Sequence, residues 1–167
     1  WEGMSFQEMK ECALYWTTYL KKQENPDIII GLFHSGAEGG IITDEYEEDA
    51  SLRIAKEVPG FDLILYGHDH KKHIETIKNK DGHDVLCMDP SSNAYFICDA
   101  EIDVTINNGQ IINKQIKGSL KDVRNLPVDT AFMEYFKDEI DSINNYVNKK
   151  IGTFKNSIYT RDSYFGS

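Results

Sequence analysis

Three histidines in this chain, His34, His68 and His70, come directly after runs of aliphatic residues. The first follows the run DIIIGLF, and the other two end the stretch FDLILYGHDH. Neutral imidazole is the commonest protein ligand for zinc and similar ions. A single histidine at a strand end is more often a hydrogen-bonded polar group. Three of them at the ends of two strands favour a metal site.

The remaining polar groups in this region have other interpretations. His73 follows two lysines, and His83 lies in a turn between Gly82 and Asp84, so we expect both histidines to face solvent. Asp69 can accept a hydrogen bond from a ligand histidine or can face solvent, and the sequence leaves both alternatives open.

The elements that must position the histidines are two buried strands. Residues 27–33 and 61–66 are continuous apolar runs of strand length, which is typical of strands covered on both faces. Ligands bind at the carboxyl edge of open α/β sheets, where adjacent strands lie about 4.8 Å apart. The sequence therefore predicts that His34 and the His68/His70 pair meet at one edge of a sheet.

Helices are predicted before and between these strands. The segment SFQEMKECALYWTTYLKKQ opens with Ser5 and Glu8 at the spacing of a capping box. A second helix is predicted over residues 46–58, before a Pro-Gly pair. The order helix, strand, helix, strand indicates a layered α/β arrangement with parallel neighbours. The apolar residues of the first helix, which we expect in the core, are Phe6, Met9, Ala13, Trp16 and Leu20.

The later part of the chain has antiparallel patterns. The stretch HIETIKNKDGHDVLCMDP indicates two strands around a turn at residues 81–82. A long hairpin is predicted to follow, turning at residues 107–109, where the sequence is NNG. An amphipathic helix is then predicted over residues 129–150.

Composition excludes several classes of protein. The 167 residues are 40% hydrophobic and 28% charged, which is typical of a globular protein, and the apolar runs are too short to cross a bilayer. The net charge of −10 argues against binding to a nucleic-acid backbone. An acidic surface attracts a phosphate ester only where bound cations supply positive charge. Cys12, Cys87 and Cys98 form no CxxC pair, and we expect free thiols.

Two stretches of the chain resemble a known family. IIIGLFHSG followed by VPGFDLILYGHDH is similar to the last two metal-binding blocks of the calcineurin-like metallophosphoesterases, in the branch of 5′-nucleotidases and 2′,3′-cyclic-nucleotide phosphodiesterases. The resemblance covers roughly residues 5–117. It implies a four-layer α/β/β/α sandwich with two divalent metal ions, zinc, manganese, iron or similar. In that family the histidines that match His34 and His68 bind one ion, and the one that matches His70 binds the other.

The earlier blocks of that family, Asp-x-His, Gly-Asp and Gly-Asn-His, do not occur ahead of His34. They supply the bridging aspartate, an asparagine ligand and the histidine proposed to protonate the leaving group. We therefore expect the chain to hold the C-terminal half of a catalytic domain in residues 1–124. The tail of the chain resembles the interdomain helix of that family over residues 125–151 and the opening of its C-terminal nucleotidase domain over residues 152–167.

The resemblance implies hydrolysis of nucleotide phosphate esters by metal-activated water. By itself we expect the chain to bind metal weakly, to be inactive, and to self-associate or pair with the N-terminal half across the open side of its sheet. Alternatives are another metal-dependent phosphodiesterase or phosphatase, a noncatalytic module that holds a structural zinc, and a scaffold that uses the helix over residues 129–150. Relatives are mostly exported, which points to the periplasm, the cell surface or secretion.

Overall fold

The computed structural model of this chain describes residues 2–156. The chain divides into two compact units, Trp1–Asn125 and Leu126–Ser167. Among the helices of the described residues, none combines the length and the apolar character that a membrane crossing requires. In chain order the elements are α1 (Met9–Gln23), β1 (Ile30–His34), β2 (Gly39–Ile42), β3 (Glu47–Asp49), α2 (Ser51–Glu57), β4 (Leu63–Gly67), β5 (Lys72–Lys78), β6 (Asp84–Pro90), β7 (Phe96–Asn107), β8 (Gln110–Asp122), α3 (Thr130–Tyr135) and α4 (Lys137–Val147).

A four-stranded sheet in the order β1-β4-β6-β5 is the centre of the first unit. β1 runs parallel to β4, from the pair Ile30/Leu63 to the pair His34/Gly67. β6 also runs parallel to β4, and β5 pairs with β6 in the antiparallel direction. The predicted parallel strand pair and the predicted hairpin around residues 81–82 are both confirmed.

Helices α1 and α2 cover one face of this sheet. Ile54, Ala55 and Val58 in and after α2 are completely buried, together with Ile64 of β4. Burial of a valine or isoleucine side chain contributes about 1.5–3 kcal/mol. The buried members of this core are Ala13, Ile29, Ala50, Ile54, Ala55, Val58, Phe61, Ile64, Tyr66, Val85 and Cys87.

The antiparallel ribbon of β7 and β8, which is the hairpin that the sequence predicts, covers the other face. A smaller core of Leu63, Leu86 and Met88 lies between the sheet and the ribbon. The ribbon approaches closely at Gly118, where a Cβ atom would lie 2.7 Å from the sulfur of Met88. Helices, sheet and ribbon are three layers of the predicted α/β/β/α sandwich, and the predicted mixed α/β fold class is confirmed.

The first helix begins later than the predicted capping box. Glu8 is its N-cap, with an extended backbone, and its carboxylate accepts a hydrogen bond from the Glu11 amide at 2.8 Å. Because Glu8 performs the capping itself, Ser5 lies outside the helix and Phe6, which is 84% exposed, does not enter the core.

The buried face of α1 also differs from the predicted one. Met9, Ala13 and Leu20 pack against the core as expected, but Trp16 is 53% exposed. The next residue, Thr17, is buried in its place, and its hydroxyl donates to the Leu14 carbonyl. A threonine can be buried there because its polar atom is satisfied within its own helix.

The predicted helix over residues 46–58 is too long at its start. The structure has the β2–β3 hairpin first, and α2 begins only at Ser51. The Ser35 hydroxyl donates to the Glu48 carbonyl at 2.8 Å and accepts from the Ala50 amide at 2.9 Å. These contacts hold the backbone before Ser51 in a non-helical conformation.

The second unit contains α3 and α4. Asp129 caps α3 by accepting a hydrogen bond from the Phe132 amide at 3.0 Å. The predicted amphipathic segment over residues 129–150 is helical, but it is divided into two helices at Phe136. Most of the expected domain start over residues 152–167 lies outside the described residues, and the domain boundaries stay a prediction.

Replacement of Ile64 by alanine tests the position of the core. Ile64 is completely buried in β4, and we expect Ile64→Ala to lower the free energy of unfolding by about 2–5 kcal/mol. The matched control is Ile112→Ala in β8, which removes a side chain that is 63% exposed and should cost no more than about 0.5 kcal/mol. Urea unfolding followed by circular dichroism measures both. Equal losses would contradict this assignment of the core.

Candidate metal centre

Two of the three candidate histidines lie side by side at the carboxyl edge of the sheet. His34 ends β1 and pairs with Gly67, so that His68 follows directly on the neighbouring strand. The Nε2 atom of His34 lies 3.2 Å from the Nδ1 atom of His68. Two nitrogen ligands at about 2.0–2.1 Å from one tetrahedral ion are about 3.3 Å apart. The pair therefore fits the requirements of a shared metal ion.

The turn that carries His68 has an unusual backbone. His68 has φ 143° and His70 has φ 59°, values that residues other than glycine rarely adopt. Such residues cost of the order of 1–3 kcal/mol and are concentrated at functional sites. Asp69 holds the turn, because its carboxylate accepts from the amides of Ala37 and Lys71, both at 3.1 Å. Asp69 therefore has a third role, that of a backbone anchor, beside the two alternatives left open by the sequence.

His70 is exposed on the same turn. Its carbonyl accepts a hydrogen bond from the Ser91 hydroxyl at 3.0 Å. Within residues 2–156, no three side chains of His, Cys, Asp or Glu are grouped so that they could hold one metal ion. The assignment of His34, His68 and His70 as metal ligands stays a prediction.

Glu48 of β3 is a residue of this site that sequence reasoning missed. One of its carboxylate oxygens lies 3.2 Å from Nε2 of His68, and the other accepts from the Ile41 amide at 2.9 Å. The hydrogen bond from Ile41, together with the one from His68, holds the pKa of Glu48 below its usual value. Glu48 was missed because the sequence predicted a helix over residues 46–58. A helix would not place Glu48 beside the histidines, whereas the β2–β3 hairpin does.

The glycine of the HSG motif has a steric role. The Gly36 amide donates to the Asp49 carboxylate at 2.5 Å. A Cβ atom at Gly36 would lie 2.7 Å from that carboxylate and 2.8 Å from Cβ of Asp69. Only a residue without a side chain allows the loop after β1 to lie this close to the turn that carries the histidines.

The other two histidines have different surroundings. His83 is exposed, as predicted. His73, which was also expected to face solvent, is half-buried in β5, with Nδ1 2.6 Å from the Tyr66 hydroxyl and Nε2 near Glu75. Its half-buried position results from the pairing of β5 with β6 beside the core, which the two preceding lysines do not indicate.

A buried carboxyl group lies at the end of β6. Asp89 has no exposed surface, and its Oδ1 atom accepts from the Ser91 amide at 2.8 Å. Its Oδ2 atom has no hydrogen-bond partner among the residues that the structure describes. Burial raises the pKa of Asp89 to about 6, and the charge of Asp69 acts in the same direction.

Comparison with known proteins identifies the fold. No protein-family model and no curated protein matches the sequence. The calcineurin-like phosphoesterase YfkN from Bacillus subtilis superposes with a TM-score of 0.68 at 21% identity, over 89% of this chain and 47% of that one. A 5′-nucleotidase precursor from Thermus thermophilus superposes with a TM-score of 0.63 at 18% identity, over 89% of this chain and 29% of that one.

A third solved structure, the NAD nucleotidase from Haemophilus influenzae, has a TM-score of 0.53 at 16% identity, over 85% of this chain and 28% of that one. The chain thus spans less than half the length of each of these three proteins. It has the fold of the C-terminal part of the calcineurin-like phosphoesterase domain, which confirms the predicted architecture.

The buried carboxyl group predicts a pH effect on stability. Because the folded-state pKa of Asp89 is about 6, above the ordinary aspartate value of 3.8, the native state binds this proton more tightly than the unfolded state does. Its stabilising contribution is fully present below about pH 4 and is lost as the pH rises through 6. Relative to Asp89→Asn, the wild-type chain should lose about 1–3 kcal/mol of unfolding free energy between pH 4 and 7.

Urea unfolding in the presence of EDTA measures this difference. The exposed residue Asp99 provides the matched control, because Asp99→Asn removes a carboxylate that pairs with Lys121 at the surface. The control should leave the pH dependence over this range unchanged. A difference between the wild type and Asp89→Asn that does not change with pH would show that folding leaves the pKa of Asp89 unchanged.

Proposed function

From the calcineurin-like phosphoesterase fold, we propose that this chain contributes histidine ligands to the two-metal centre of a phosphoesterase of the 5′-nucleotidase type. The substrate class is nucleotide phosphate esters. The observation that carries the proposal is the 3.2 Å separation of the His34 and His68 ring nitrogens at the carboxyl edge of parallel strands. His70, on the same turn, is assigned to the second ion.

The proposed chemistry fits the donor set and the charge of the chain. Two divalent ions would polarise the phosphate as Lewis acids and would lower the pKa of a bound water molecule toward about 7. His34 and His68 would hold one ion without reducing its charge, because neutral imidazoles carry none. Asp69 keeps the turn in the conformation that presents His68 and His70. The chain has a net charge of −10 and would by itself repel a phosphate ester, so bound cations would supply the local positive charge that attracts one.

In this proposal the centre needs ligands from outside the described residues. The solved structures that share the fold are more than twice as long as the part that this chain matches. The Asp-x-His, Gly-Asp and Gly-Asn-His blocks are absent ahead of His34. We therefore expect weak metal binding and no hydrolysis by the 167-residue chain alone. An exported location stays a prediction from the resemblance.

The unpaired edge of the sheet also supports the proposal that this chain is completed by an N-terminal half of the domain. β1 pairs only with β4 within the described sheet, and Ile30 and Leu32 on its ribbon side are 50% and 82% exposed. An exposed apolar edge strand is a site for pairing with another chain segment. The N-terminal half of the domain is the proposed occupant of this edge, and a second copy of the chain takes its place when that half is absent.

Removal of individual histidines tests the proposed centre. In the longer protein that contains the N-terminal half, His34→Ala and His68→Ala should lower kcat for AMP and bis(p-nitrophenyl) phosphate at least ~100-fold, because each removes a metal ligand. His83→Ala removes an exposed histidine far along the chain and should leave kcat unchanged. Thermal unfolding checks that each variant is folded.

The 167-residue chain provides the second readout. Calorimetric titration with Zn²⁺ should show weak binding that His34→Ala abolishes and His83→Ala retains. Hydrolysis by the isolated chain at ordinary enzyme rates would contradict the proposed division of the site. Zn²⁺ binding that depends on His34 in a longer protein without hydrolytic activity would favour the noncatalytic metal module instead.

A charge on the free edge tests the proposed pairing. The isolated chain should self-associate in sedimentation velocity, and Leu32→Lys should return it to a monomer, because a lysine on an edge strand opposes strand pairing. Val128 is 70% exposed in the second unit, so Val128→Lys is a control with the same change of charge. A monomeric wild-type chain at about 100 µM, a concentration at which exposed edges commonly pair, would contradict self-association through β1.

A further inference from the structure

Both ring nitrogens of His68 have a polar neighbour. Nδ1 lies 3.2 Å from Nε2 of His34, and Nε2 lies 3.2 Å from a carboxylate oxygen of Glu48. A neutral imidazole carries one N–H group, and an ionised carboxylate can only accept hydrogen bonds. The N–H group of neutral His68 must therefore be at Nε2, which leaves the lone pair of Nδ1 directed toward His34.

We propose that Glu48 is a positioning residue that fixes the tautomer of His68 and thereby prepares Nδ1 as a metal ligand. The inference rests on the proposed metal centre, but the hydrogen bond itself exists without the metal. Histidine ligands of metals usually donate their second N–H to a carboxylate or a carbonyl, which orients the ring and raises its basicity. Glu48 is the carboxylate in the place that this role requires.

Glu48 is itself held firmly enough to orient a ring. Its second oxygen accepts from the Ile41 amide at 2.9 Å, and its backbone carbonyl accepts from the Ser35 hydroxyl at 2.8 Å. Gly40 lies so close that a Cβ atom there would be 2.7 Å from the carboxylate. The carboxylate thus joins the β2–β3 hairpin to the histidine turn.

The geometry also excludes Glu48 as a direct ligand of the same ion. Nδ1 and Nε2 point away from each other across the imidazole ring, and Glu48 lies on the Nε2 side. An ion held between His34 and Nδ1 of His68 is therefore on the opposite side of the ring from this carboxylate.

The tautomers of the two histidines follow from this arrangement. Without metal, Nδ1 of His68 accepts a hydrogen bond from the Nε2–H group of His34. An ion bound between the two rings would require His34 to be free of its Nε2 proton, so that His34 would carry its N–H group at Nδ1 instead. His68 keeps its proton at Nε2 throughout, because Glu48 holds it there.

Nuclear magnetic resonance of the metal-free 167-residue chain tests the proposal directly. Two-bond ¹H–¹⁵N correlations at pH 8, above the reference value of about 6.5 for histidine, report which ring nitrogen carries the proton. We expect His68 in the Nε2–H form. In Glu48→Gln the amide oxygen can still accept from Ile41, while its NH₂ group donates to Nε2, so His68 should change to the Nδ1–H form.

The matched control is Glu47→Gln. Glu47 lies next to Glu48 on β3 but pairs with Arg53, away from the histidines. This variant should leave His68 in the Nε2–H form. Glu48→Asp, which keeps the charge but is too short to reach both partners, is a second variant and should give a mixture of the two forms.

Zinc affinity supplies a further readout. Loss of an outer carboxylate costs about 10–100-fold in metal affinity, so Glu48→Gln should weaken Zn²⁺ binding by that factor and Glu47→Gln should not. An unchanged Nε2–H form of His68 in both Glu48 variants would overturn the inference. If His34→Ala abolishes Zn²⁺ binding while Glu48→Gln has no effect on affinity or tautomer, the metal centre stands and the role of Glu48 is refuted. A tautomer that depends on Glu48 in a chain that binds no Zn²⁺ supports the positioning role and contradicts the weak Zn²⁺ binding predicted for the isolated chain.

Discussion

The candidate site depends on the parallel register of β1 and β4. Strands that run in the same direction end at the same edge of a sheet, and the pairing of His34 with Gly67 places the two histidines beside each other. A slip of one residue would turn His34 to the helical face of the sheet, because successive side chains alternate between faces.

Burial of the side chains on the helical face specifies the register of β1 against β4. Phe33 packs edge-on against Phe61 with ring centres 5.6 Å apart, and a Cβ atom at Gly31 would lie 2.8 Å from the Phe33 ring. The same packing that forms the helical core therefore determines where the imidazoles lie.

The loop after β1 extends this constraint to the rest of the site. Ser35 bonds to Glu48, Ala50 and Ser51 through its hydroxyl and its carbonyl, with all three distances between 2.8 and 2.9 Å. Its hydroxyl both donates and accepts, so its hydrogen-bonding capacity is used although the residue is buried. The residue that follows His34 thus sets the end of β3 and the start of α2. For this reason Glu48 is positioned relative to His34 by direct hydrogen bonds and not by the length of the intervening chain.

This dependence explains which features the sequence could predict. Apolar runs of strand length, each followed by histidine, predicted the parallel pair and the meeting of His34 with His68, because that result needs only strand direction. Glu48 could not be found in this way. Its strand is held at one end by the side chain of Ser35, and no local periodic pattern in the sequence indicates it. The sequence also could not predict the positive φ of His68. An L-residue adopts such a φ only where tertiary contacts hold the turn, and here Asp69 holds it by accepting hydrogen bonds from two backbone amides.

The buried face of α1 is rotated by one residue from the predicted face, so that Thr17 and not Trp16 is buried. Helical spacing alone fits both orientations, and only packing against the sheet decides between them.

The carboxylates near the histidines already have partners or are buried. Asp69 binds two backbone amides, Glu48 binds Ile41 and His68, and burial raises the pKa of Asp89. An ion held by His34 and His68 would therefore keep its full charge toward a phosphate, because neither ligand is an anion. A second ion close to it would be repelled unless an anionic ligand lay between the two. In the proposed function that bridging carboxylate has to come from a segment that pairs along β1. In the proposed function, the unpaired edge of β1 and the need for an anionic ligand have the same cause, because one further segment would supply both the neighbouring strand and the carboxylate.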